Sequence, residues 1–157
     1  MPQPPRKPAA HLARTALALA AAFALLAVAG EASAATLTIR VQGVMSHRGV
    51  LRACLWNAPT GFPDCEHHAS VAKASGPAVD GAELRFENIP PGVYAVSIMQ
   101  DLDNDGHLRT NLIGIPKEPV GLSNNPSLIK IPPPSWNDVK ITVLRDTTIS
   151  IKLINFK

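Results

Sequence analysis

Leu37, Ile39 and Val41 alternate with Thr38, Arg40 and Gln42, and Leu51, Ala53 and Leu55 alternate with Arg52, Cys54 and Trp56. A period of two marks a strand with one face buried. The same alternation covers Leu84 and Phe86, Tyr94 to Ile98, Val139 to Val143 and Ile149 to Leu153, with a weaker strand over 68–75. No sustained helical stripe occurs after residue 34. Pro90-Pro91-Gly92 predicts a type II turn, since Pro fixes φ and Gly accepts a positive φ, and hence a hairpin between the flanking strands. Arg145-Asp146 predicts a second hairpin near the C-terminus. Six to eight short antiparallel strands of this kind predict an all-β fold, an antiparallel β-sandwich carrying one long Pro-rich loop.

Residues 1–34 are a different material. Arg6, Lys7 and Arg14 precede an uncharged apolar run from Thr15 to Gly30 and the small residues Ala32-Ser33-Ala34. This is the layout of a cleaved secretory signal peptide, and the run is short of the ~20 residues that span a bilayer. Residues 35–157 are then expected as a single domain, periplasmic or secreted, with no membrane span. Of the 15 basic and 12 acidic side chains in the chain, 12 and 11 belong to that domain. Near-neutral charge offers no electrostatic reason for a nucleic acid partner.

An oxidising compartment favours a disulfide between the two cysteines, Cys54 and Cys65. The alternation puts Cys54 on the face away from the aliphatic set, where the next loop can bring Cys65 to it. The run Cys65-Glu66-His67-His68 also prompts a metal or redox-thiol reading, with Met45, His47 and Met99 as soft ligands. There is no Cys-x-x-Cys pair, and adjacent histidines on a strand face opposite ways, so they converge on one ion only in an irregular loop.

The alternation stops between Gln100 and Trp136, and long connections of this kind tend to be functional. The segment opens with Asp101, Asp103 and Asp105 at alternate positions before Gly106. Such carboxylates suit calcium, although Arg109 and Leu112 stand where a helix-flanked calcium loop has its ninth and twelfth ligands. The alternative is a tight turn of Asn104, Asp105 and Gly106 closed by side-chain hydrogen bonds, with no cofactor required. Asn111, Ser123, Asn124 and Asn125, with Trp136 as a platform, form a candidate ligand-binding set for an envelope glycan, a peptide or another envelope protein. The same residues equally serve as turn formers that satisfy their own backbone.

From Leu37 almost to the C-terminus the chain resembles a bacterial secreted family, domain of unknown function 2141. The resemblance rests on Gly49 to Trp56 with Gly61-Phe62, on Ile89-Pro90-Pro91-Gly92-Val93-Tyr94, on the acidic loop, and on Asn111 with Gly114-Ile115-Pro116 and Ser123-Asn124-Asn125. It implies a prealbumin-like sandwich with no established activity. Arg109 departs from the acidic residue common at that place, and Gln100 from a frequent His. No G-x-S-x-G elbow, Ser-His-carboxylate set or phosphate loop is present. The chain also lacks the Tyr-Arg-Gly-Ser ending of transthyretin-like hydroxyisourate hydrolases. A non-catalytic accessory or binding module is therefore expected, with a weak calcium module or a hydrolase built on the three aspartates as alternatives.

Overall fold

The computed structural model describes residues 33–129 and 132–156, so the leader lies outside the described residues except for its last two positions. Among the described residues eight strands follow one another: β1 (Ala35–Gln42), β2 (Val50–Trp56), β3 (Ala72–Pro77), β4 (Glu83–Ile89), β5 (Gly92–Asp101), β6 (Val120–Leu122), β7 (Ile141–Val143) and β8 (Thr147–Lys152). Among the described residues one short helix, α1 (Trp136–Val139), lies just before β7. One sheet has the order β4-β1-β8, and the other β3-β2-β5-β6 with β7 paired to the start of β5.

The buried halves of the alternating strands make the main core. Leu37, Ile39 and Val41 of β1, Leu84 and Phe86 of β4 and Ile151 of β8 meet Leu51, Ala53 and Leu55 of β2 and Val96 and Ile98 of β5. Burying each such side chain contributes roughly 1.5–3 kcal/mol, which makes this layer the main source of stability.

Neither expected hairpin forms. β4 pairs with β1 in one sheet, whereas β5 pairs with β2 in the other, so Pro90-Pro91 carries the chain between sheets. Gly92 does not take a positive φ; the left-handed residue is Asn88, at φ 56°. Gly92 serves a close approach instead, because a Cβ there would lie 3.2 Å from the Tyr94 ring. That ring turns back so that the Tyr94 hydroxyl donates to the Pro90 carbonyl at 2.6 Å. At the C-terminus β7 pairs with β5, and β8 runs parallel to β1. Alternation fixes which face of a strand is buried but says nothing about its neighbour, and a parallel partner satisfies the same pattern.

A second apolar layer covers the outer face of the β2–β5 sheet. Cys54, Trp56, Ala95 and Val139 are buried there, with Phe62, Cys65, Leu122 and Trp136 packed over them. The expected polarity of β2 holds: Cys54 faces away from the main core and is bonded to Cys65, their Cα atoms 6.2 Å apart. Trp56 donates its indole N–H to Ser97 Oγ at 3.0 Å, and Ser97 donates to the Pro63 carbonyl at 3.3 Å. The disulfide loop is thus pinned flat on the sheet.

Candidate functional site

The acidic loop starts where β5 ends. Val50 stands opposite Asp101 and Arg52 opposite Met99, so Arg52 reaches diagonally across the strand pair to the start of the loop. Its Nε donates to Asp101 Oδ2 at 2.6 Å and its Nη2 to Asn104 Oδ1 at 2.6 Å. The Asp101 side chain is fully buried and also accepts from the backbone N–H groups of Asp105, at 3.2 Å, and Gly106, at 2.9 Å. Asn104 and Gly106 take positive φ values of 59° and 85°, which lets the chain wrap around that carboxylate. Residues 102–106 bend around that carboxylate, held by Asp101 and by Asp105 Oδ1 accepting from His107 N at 2.8 Å, rather than closing the tight turn expected for Asn104, Asp105 and Gly106 with a backbone hydrogen bond.

One oxygen each from Asp101, Asp103 and Asp105 lies within 4.8 Å of the others. The sequence spacing therefore did bring the three carboxylates together. Two guanidinium groups answer them: Arg52 on Asp101, and Arg109, whose Nη1 is 3.0 Å from Asp103 Oδ2. Burial pushes the Asp101 carboxyl up, but the Arg52 bond and the two amide donors outweigh it and hold the group below the usual aspartate range. Its contribution to stability is accordingly present above the unfolded-state pKa and lost as pH falls through the lower folded-state value. Urea midpoints measured from pH 6 to pH 3 are expected to fall more steeply for the wild type than for Asp101→Asn, which has no such group to titrate. Parallel pH profiles would contradict this assignment.

Glu118 closes the other side of the loop. Its side chain is fully buried, with Oε1 accepting from Leu102 N at 2.9 Å and Oε2 from Arg109 N at 3.2 Å. Between these anchors, residues 107–118 form an excursion closed by the Thr110–Pro116 bridge. Asn111 organises its tip: Oδ1 accepts from Ile113 N at 3.0 Å and Ile115 N at 2.9 Å, while Gly114 sits at φ 80°. Leu112 and Ile113 project from this self-bonded turn at 106% and 79% exposure.

The remaining candidate ligand residues lie elsewhere and are engaged by the fold. Ser123 is fully buried; its hydroxyl accepts from Val96 N at 2.9 Å and donates to the Val139 carbonyl at 2.6 Å. Asn124 and Asn125 have φ of 63° and 49°, a region that Asn tolerates better than most residues. Asn124 donates to the Lys140 carbonyl at 3.0 Å. Asn125 donates to the Ser150 carbonyl at 2.9 Å and accepts from Lys152 N at 2.7 Å, pairing with the β8 backbone as a strand residue would. Trp136 is half-buried, edge-on to Phe62 with ring centroids 5.9 Å apart. Asn111 bonds within its own hairpin, so no shared polar surface joins it to the other four.

Arg52 and Glu118 were not singled out from sequence. Arg52 lies 49 residues before its partner and is found only through strand register. Glu118 has a weaker signal, an acid that with Lys117 interrupts an otherwise apolar stretch between Pro116 and Pro119.

The family described as "Uncharacterized protein conserved in bacteria (DUF2141)" matches residues 39–152. The chain belongs to this family. The matched span runs from β1 to the end of β8 and includes the acidic loop, the hairpin and the disulfide of this DUF2141 domain. No curated protein and no solved structure matches the chain.

Proposed function

We propose that this DUF2141 domain is an exported, non-catalytic binding module of the cell envelope that meets its partner with the tip of the 107–118 hairpin. The observation that carries this reading is the pair Leu112 and Ile113, bare to solvent on a turn whose backbone is satisfied internally and whose base is tied to buried Glu118. Exposed aliphatic side chains gain free energy only when something covers them, and a turn that is already ordered loses little entropy on binding. Aliphatic side chains suit an apolar pocket on a protein or peptide. A glycan calls for flat rings and unspent amides, whereas Trp136 is packed on Phe62 and the Asn124 and Asn125 amides bond to backbone.

Export is supported by the layout of residues 1–34 and by the Cys54–Cys65 disulfide, a bond that persists in oxidising compartments. Among the described residues no helix is long and apolar enough to cross a membrane. The non-catalytic reading rests on the state of the carboxylates. Asp101, held below its usual range and bonded to Arg52, is a poor general base, and Asp103 is paired with Arg109.

The convergence of three aspartate oxygens within 4.8 Å keeps calcium as a second reading. A dication there would compete with Arg52 for the buried Asp101 carboxylate and with Arg109 for Asp103. We favour a loop closed by the chain's own cations, with no ion required.

The test compares wild type with the double variant Leu112→Ser, Ile113→Ser as immobilised bait for envelope extract, with bound proteins quantified by mass spectrometry. Exposed substitutions of this kind change stability by only about 0.5 kcal/mol, so both baits should melt alike. A specific envelope protein retained by wild type and lost from the variant is the expected result. Equal retention by both would remove the tip from the binding surface.

A further inference from the structure

β1 is the middle strand of its sheet, and its first residue, Ala35, is also the first residue after the small-residue run Ala32-Ser33-Ala34. Ser33 and Ala34 are exposed and lie outside any strand, whereas Ala35 is 1% exposed. The chain thus passes from surface to core across one peptide bond, Ala34–Ala35. The turn before β8 lies against that bond: Ser33 and Ala34 line an open cleft with Leu144, Arg145 and Asp146. Asp146 Oδ1 accepts from Thr36 N at 2.8 Å, across 110 residues of sequence. One residue further on, Leu37 stands opposite Thr147, where β8 joins β1. Asp146 therefore holds the start of β1 to the start of β8. Its carboxylate is exposed and takes part in none of the ion pairs among the described residues.

We infer that Asp146 is the docking site for the amino terminus that cleavage after Ala34 creates. This docking rests on the export reading given above and is independent of the hairpin tip. A signal peptidase breaks the Ala34–Ala35 amide with one water. The water oxygen joins the Ala34 carbonyl carbon, both water protons end on the Ala35 nitrogen, and a carboxylate and an ammonium result. An α-amino group has an ordinary pKa of about 7.7–8.0, so most of it is charged at neutral pH. Consecutive backbone nitrogens of an extended strand stand about 3.6 Å apart, which sets the new ammonium beside the carboxylate that Thr36 N already meets. An amide offers one N–H in a fixed direction, whereas an ammonium turns three about its bond to Cα, so one can reach Asp146. A chain end frays unless something ties it down, and this end belongs to the strand that sends Leu37, Ile39 and Val41 into the core. Capture of the amine by Asp146 closes the start of that strand with a charge pair that the uncleaved chain does not have.

The experiment expresses the full chain with its leader in a bacterial host and collects the protein from the envelope. A second chain carries Gly-Ser-Gly inserted after Ala34, which moves the new amino terminus about 10 Å along the chain from Ala35. Intact mass reads where each chain is cut. Asp146→Asn is then made in both, and all four proteins are melted. The substitution is expected to lower the melting temperature of the chain that begins at Ala35 by about 2 °C more than that of the extended chain, because only the first loses an ion pair. Weakening of the Thr36 bond is common to both backgrounds and cancels in the comparison. Equal losses in the two backgrounds overturn the docking and leave export untouched. A mass that places the natural chain's cut elsewhere, or shows no cut, overturns the docking together with the processing on which it rests.

Discussion

Replacing Asp101 by Ala is expected to lower stability by roughly 2–4 kcal/mol, the range for removing one partner of a buried charge pair. The carboxylate is fully buried and answers three donors at once: Arg52 Nε, Asp105 N and Gly106 N. Its removal strips the amides of their acceptor and leaves the guanidinium without its counter-charge. Arg52 is 37% exposed, so water repays part of its loss, which places the effect below that of a wholly buried pair. For a domain of this size the melting temperature should fall by about 10 °C. The hairpin beyond the loop should loosen as well, visible as faster amide hydrogen exchange over 102–118. A variant that melts within 2 °C of wild type would mean that the loop does not depend on this carboxylate.

The second large effect is expected at Gly49, where the chain enters β2. Gly49 has φ +69°, and a Cβ built there would clash with the Asp101 carbonyl oxygen and lie 2.7 Å from Asp101 C and 2.8 Å from Leu102 Cα. These are backbone atoms of the acidic loop and cannot rotate away. Gly49→Ala should therefore cost about 3 kcal/mol or more, combining ~1–2 kcal/mol of left-handed strain with the displacement of the β2–β5 pairing. Gly81 is the matched control, since it has φ +81° and nothing within 4 Å of the added atom. Gly81→Ala should show the strain alone, ~1–2 kcal/mol. Chemical denaturation of both variants separates the two contributions, and equal losses would show that the contact at Gly49 relaxes freely.

The strands were legible because one face of each is buried, as with Leu37, Ile39 and Val41 or Leu51, Ala53 and Leu55. The same alternation identified Cys54 as the outward residue that meets Cys65. It could not say that Pro90-Pro91 joins two sheets, or that β8 lies parallel to β1, because strand partners are chosen by three-dimensional register. In the site, the spacing of Asp101, Asp103 and Asp105 foretold that their oxygens would gather. The cations that close the loop were hidden for different reasons. Arg52 looks like any solvent-facing residue of an alternating strand until β2 is laid beside β5. Arg109 stands where a calcium loop has a ligand and where an acidic residue is common, so the sequence shows it as a gap in a metal site and not as the partner of Asp103. Ser123, Asn124 and Asn125 carried two readings in the sequence, and the structure shows their polar atoms bonded to β5, α1 and β8 neighbours.

The central claim is that the acidic loop is closed by Arg52 and Arg109, and so serves as the mount of the hairpin. Its most direct test is a pair of thermal melts on protein freed of transition metals, one in 1 mM calcium chloride and one in a calcium chelator. Calcium at ten times its dissociation constant would stabilise the fold by ~1.4 kcal/mol, a shift of several degrees. The account predicts coincident curves; a calcium-dependent rise of that size would contradict it.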